Sequence, residues 1–145
     1  MKFAEIIEGS RLVLGPVTVD EEQVVAFAKQ YDTQWFHTDP ERAASGPWNG
    51  VIASGWHTCV LAMQLVSKEI LAGSEGYASP GLQYVRWPNP MRPGDLLTLE
   101  VLVLESRISV SKPWLGVVRW QWLMKNQDGA EVLALEATSM FKLAQ

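Results

Sequence analysis

Two hydrophobic periods divide the chain. In residues 21–31, Val24, Phe27, Ala28 and Tyr31 recur at the i, i+3, i+4, i+7 spacing of one helix face. Thr18-Val19-Asp20-Glu21 reads as a capping box for that helix, which is expected to stop near Tyr31 or Asp32. Upstream, Arg11 to Val19 is rich in Val and Leu but interrupted by Gly15-Pro16, which predicts a short strand followed by a turn. Asp39-Pro40-Glu41-Arg42 predicts a short helix with Asp39 as N-cap and Pro40 in the first position, closed by Ser45-Gly46-Pro47. The longest apolar feature runs from Val51 to Leu71. Ser54 suits its N-cap and Gly73 its stop. Between them Trp56, Cys59, Val60, Leu61, Ala62, Met63, Leu65 and Val66 cover nearly the whole circumference, and a helix apolar all round is expected to be buried.

The second half changes period. Val118, Trp120, Trp122 and Met124 alternate with Val117, Arg119, Gln121 and Lys125, and Leu133, Leu135, Ala137 and Phe141 alternate with Val132, Glu136, Thr138 and Lys142. That is the period of half-buried strands. Residues 96–106 and 78–86 supply two more, with Pro93-Gly94-Asp95, Lys112-Pro113 and Asp128-Gly129 as the breaks. The plan is α+β: a strand, a helix, a long buried helix, then about four antiparallel strands. A curved antiparallel sheet wrapped around the long helix is the simplest way to bury it. One sheet cannot cover both sides, so the remainder is expected to face loops or a second subunit.

A length of 145 residues without repeat or linker predicts one domain over 1–145. The net charge is −4 with no basic run, which argues against a nucleic-acid partner. Cys59 is the single cysteine, so no intrachain disulfide or thiolate metal cluster can form, and it reads as a small core residue. The start, Met1-Lys2-Phe3-Ala4-Glu5, lacks a signal-peptide pattern, and no run approaches the ~18 apolar residues of a membrane span. A cytoplasmic location without membrane contact is the expectation. Seven tryptophans are many for this length. Trp120 and Trp122 share one strand face. Trp35, Trp48, Trp56, Trp87 and Trp114 fall in loops or at element ends, where Trp serves packing, interfaces or ligand clefts.

Two places could carry chemistry. In Tyr31-Asp32-Thr33-Gln34-Trp35-Phe36-His37 an acid and a histidine lie five residues apart after a helix. A carboxylate beside a histidine can orient it or share a water with it. The same spacing also suits a helix-end cap and a surface histidine. Further on, Ser54-Gly55 opens the long helix, whose first amides lack internal partners and favour negative charge. Gly55 would let a substrate approach the backbone, as an oxyanion hole for a thioester carbonyl requires. An ordinary cap with a packing glycine would look the same. His57 in the first helical turn is expected to pack or meet an interface, and Asp39 to cap its helix.

Together Asp32-x4-His37-x-Asp39, Ile52-Ala53-Ser54-Gly55 at the central helix, and Val85-Arg86…Pro90-x-x-Pro93-Gly94-Asp95 resemble the MaoC-like dehydratases, which include (R)-specific enoyl-CoA hydratases. The resemblance covers about residues 10–143. It implies the hotdog fold, a long central helix wrapped by a curved antiparallel β-sheet. It implies Asp32 and His37 as the catalytic pair, and Gly55 as the amide donor to the thioester oxygen beside Ser54. Reversible hydration of a trans-2-enoyl thioester to a (3R)-hydroxyacyl thioester follows, without metal or redox cofactor. The implied substrate is carried on CoA or acyl carrier protein, and the implied assembly is a homodimer or larger homo-oligomer. Gln34 and Trp35 stand where the family commonly has Asn and Pro, so Trp35 is expected to affect acyl-chain access. A hotdog thioesterase is the nearest alternative, although such enzymes often carry an acid on the central helix and here none occurs before Glu69. A non-catalytic acyl-CoA-binding subunit is the other.

Overall fold

The computed structural model describes residues 1–144. A turn of 3-10 helix at Phe3–Glu5 precedes β1 (Arg11–Thr18), α1 (Glu21–Tyr31), α2 (Trp35–Thr38), α3 (Pro40–Ala44) and α4 (Gly55–Val66). A wider π-helical turn, Ser67–Leu71, extends α4. Four strands follow: β2 (Gly76–Arg86), β3 (Leu96–Ile108), β4 (Leu115–Lys125) and β5 (Glu131–Lys142). They form one antiparallel sheet in the order β1-β3-β4-β5-β2, folded against α4 in the hotdog arrangement.

Period-two patterning set the sheet. Val118, Trp120, Trp122 and Met124 are all buried, while Arg119 and Gln121 stay partly exposed on the other face. β5 departs from strict alternation at its start, where Val132 and Ala134 are buried as well as Leu133 and Leu135. Gly15-Pro16 does not end β1. It forms a bulge between Leu14 and Val17, after which pairing with β3 resumes. The cap of α1 is Asp20 rather than Thr18. Asp20 Oδ1 accepts from the Glu22 amide at 3.2 Å, so the expected capping box is displaced by two residues.

The Pro93-Gly94-Asp95 turn is structural. The buried Asp95 carboxylate accepts from the Arg92 amide at 2.8 Å and from Gln127 Nε2 at 3.1 Å. Backbone hydrogen bonds between Val19 and both Gly94 and Asp95 tie it to the start of α1.

The central helix is covered on one side only, as expected of a single sheet. α4 buries only one side, through His57, Thr58, Ala62 and Val66. Its other flank leaves Trp56 60%, Val60 50% and Met63 45% exposed. An all-apolar sequence carries no amphipathic signal, so periodicity could not tell the sheet-facing side from the open one. Beside that flank, β2 is an edge strand with exposed Tyr77 and Leu82. Among the described residues, no helix is long and apolar enough to cross a membrane.

Candidate active site

The site is assembled on the extended run 51–54 that leads into α4. Ile52 holds α2 with both halves of its backbone. Its amide donates to the Phe36 carbonyl at 3.1 Å, and its carbonyl lies 2.7 Å from His37 Nδ1. The next amide, Ala53, donates to the Met91 carbonyl at 2.9 Å and fixes the loop after β2.

A carbonyl can only accept, so His37 Nδ1 carries the proton and donates it to Ile52. The other ring nitrogen, Nε2, stands 3.3 Å from Asp32 Oδ2. With His37 neutral, that nitrogen and the carboxylate are both acceptors. They require a proton between them, on the ring or from a bound water. Asp32 closes α1, with its amide donating to the Ala28 carbonyl. Its carboxylate accepts from Gln34 Nε2 at 2.8 Å. Burial opposes the Asp32 anion, but the Gln34 side chain, the neighbouring Ser54 and His37 outweigh it and hold the carboxyl below its ordinary value.

Ser54 stands at the N-cap of α4 but does not cap it with its side chain. Its carbonyl accepts from the His57 and Thr58 amides instead. Its hydroxyl is fully buried, close enough to favour the Asp32 charge yet without a well-formed hydrogen bond of its own. The side-chain capping expected of it is therefore unfilled, and the hydroxyl lies beside Asp32. The Gly55 and Trp56 amides have no acceptor among the described residues. They are the open N-terminal donors of a helix twelve residues long.

His37 and Gly55 line the same pocket of about 240 Å³, together with Trp48, Trp87, Asn89 and Val132. Asp32 and Ser54 back His37 rather than line that pocket. Trp35 is absent from it. Its ring packs under the Arg42 guanidinium, 4.3 Å from centroid, and against Gly46, where a Cβ would lie 3.0 Å away. The expected interference of Trp35 with the acyl chain is not what the geometry shows. Trp48 and Trp87 are the tryptophans at the site, and Trp87 fills the space a Gly55 side chain would occupy, its Cε2 only 2.4 Å from a Cβ placed there. Gly55 is thus a close-packing glycine. Trp87 was one of five loop tryptophans open to a cleft role and Asn89 was not singled out; the run Arg86-Trp87-Pro88-Asn89-Pro90, with its two prolines, was the available signal.

His57 and Asp39 lie outside the pocket. Asp39 Oδ1 caps α3 through the Arg42 amide at 3.0 Å. His57 is 6% exposed, stacks on Phe27 at 4.7 Å between centroids, and leaves Nδ1 without a partner. Burial holds its pKa below 6.5. Below that pH the unfolded chain binds the proton more readily than the folded one, so stability falls as pH drops through this range. His57→Phe keeps the stack and removes the proton site. Its Tm should therefore fall less than that of the wild type between about pH 7.5 and pH 5. Equal losses in both proteins would refute this.

A hotdog sheet on one helix, with an Asp–His pair beside that helix's open amides, defines a domain of the hydratase/dehydratase type. The chain belongs to the MaoC-like domain family, which matches residues 2–119. It is 28% identical over 142 residues to YdeM of Bacillus subtilis, an uncharacterized protein, covering 98% of this chain and 99% of that one. An 80-residue stretch is 40% identical to 3-hydroxyacyl-thioester dehydratase Z of Mycobacterium tuberculosis, covering 54% of this chain and 53% of the relative. The crystal structure of a MaoC-like dehydratase from Rhodospirillum rubrum superposes with a TM-score of 0.86 at 33% identity, over 98% of this chain and 97% of that one.

Proposed function

We propose that the protein is a lyase that adds water reversibly to trans-2-enoyl thioesters, giving (3R)-hydroxyacyl thioesters, with Asp32 and His37 as the acid–base pair. The observation that carries this reading is the approach of His37 Nε2 to Asp32 Oδ2, 3.3 Å apart, two acceptors when the ring is neutral. Such a pair can hold one water by its two hydrogens. In the hydration direction the water oxygen bonds to Cβ and gives a proton to the pair. The pair returns a proton to Cα on the same face, so the addition is syn and the pair ends as it began. Between these transfers negative charge collects on the thioester oxygen. The Gly55 and Trp56 amides, at the positive end of the α4 dipole, are the donors that would stabilise it.

A thioesterase reading would place an acid on the central helix. Here Glu69 lies in the π-helical turn at the far end, its carboxylate accepting from the Gly15 amide at 3.2 Å. The assembly we propose is a homodimer, supported by the unpaired backbone edge of β2 and by exposed Trp56 and Val60 on α4, which do not line the groove described below.

The test is the purified protein with crotonyl-CoA, followed by loss of enoyl absorbance and by release of free thiol. Absorbance should fall with no thiol appearing. Thiol release without hydration would give the thioesterase reading, and binding without turnover the non-catalytic one.

A further inference from the structure

A second apolar cavity lies beside the Asp–His pocket, not in it. It holds about 410 Å³ and is lined by Cys59, Met63, Tyr77, Leu135 and Ala137, among others. Its walls continue those of the 240 Å³ pocket. On α4, Gly55 lines the first cavity and Cys59 and Met63 the second. These three are spaced by four residues and so share one helix face, each about 6 Å from the next. On β5, Val132 lines the first cavity and Leu135 and Ala137 the second. Both elements therefore run through the two cavities in the same order.

One side chain stands at the junction. The Trp87 indole lies on Gly55, where a Cβ would be 2.4–2.8 Å from three of its ring atoms. It is close enough to the Cys59 thiol, one turn on, to oppose in part the effect of burial there, and meets Trp56 edge-on at 5.4 Å. Trp87 follows the end of β2, outside regular structure, and is 41% exposed. A half-exposed loop side chain can change rotamer without opening the core.

We propose that Trp87 sets the acyl-chain length of this site by closing the Asp–His pocket off from the apolar groove along Cys59 and Met63, and that the groove takes the tail of a longer acyl chain when the indole swings aside. This rests on the thioester reading above. A pocket of 240 Å³ falls below the roughly 300–1,000 Å³ usual for small-molecule sites, whereas the two cavities joined fall inside that range. With Trp87 in place, the site suits short enoyl groups. Longer chains bear the cost of moving the ring.

The experiment compares crotonyl-CoA with trans-2-decenoyl-CoA in the wild type, Trp87→Ala and Trp87→Phe. Trp87→Ala should raise the decenoyl-to-crotonyl ratio of kcat/KM on the order of tenfold or more, with Trp87→Phe between. Met63→Trp added to Trp87→Ala should refill the groove and reverse the gain. Binding of the saturated butyryl-CoA and decanoyl-CoA, measured by calorimetry, reads the same ratio without turnover. An unchanged ratio in both measurements, or an equal change for both chain lengths, overturns the gate. A wild type that hydrates neither substrate overturns the hydratase reading alone, and the binding ratio then still decides on Trp87.

Discussion

Alanine in place of His37 is expected to lower the hydration of crotonyl-CoA by on the order of 10²–10⁴-fold, with folding intact. His37 is held by main chain through Ile52, so its removal leaves the Asp32 carboxylate and its Gln34 partner in place. Asp32→Asn is the sharper variant. An asparagine amide would donate to His37 Nε2, occupying the lone pair that the proposed mechanism needs free. Its loss should match that of His37→Ala, and the double variant should lose little more, because residues acting as one unit are not additive. Thermal melts of each variant separate lost chemistry from lost fold. Full activity in Asp32→Asn would remove the pair from the mechanism.

Trp120→Ala carries the largest expected cost to stability, about 3–5 kcal/mol. Trp120 is fully buried at the centre of β4, between Val103 of β3 and Ala137 of β5 in the register of the sheet, with Trp122 at 6.0 Å. Its indole nitrogen has no hydrogen-bond partner. Trp120→Phe therefore gives up ring volume but no hydrogen bond, and should cost well under half as much. Urea unfolding midpoints at constant slope measure both. A Trp120→Phe loss equal to that of alanine would show that the nitrogen has a partner after all.

Where one residue property decides an element, the sequence was readable. Alternating apolar residues located β4 and β5, turn residues bounded β2 and β3 to within two residues, and Asp39-Pro40 located α3. Where two explanations share one residue pattern, it was not. Ser54 before a helix reads as a cap, yet its hydroxyl faces the Asp32 charge and the cap is unfilled. Gly55 reads as room for a substrate, yet the room at its Cα belongs to an indole thirty-two positions away in the chain. Spacing brought Asp32 and His37 to notice, but their approach depends on Ile52, which no local pattern marks. Trp35 and Trp87 are equivalent by composition. Only the packing of Trp35 under Arg42 and of Trp87 on Gly55 separates them.

The partner that orients His37 is a peptide carbonyl, not a side chain. Every amino acid supplies one, so no replacement at position 52 deletes it. The tautomer is consequently insulated from point mutation at its own contact and exposed only to shifts of the segment as a whole. A lineage carrying this arrangement can alter the residues around its histidine, and with them what the pocket admits, while the proton on Nδ1 is inherited through the backbone.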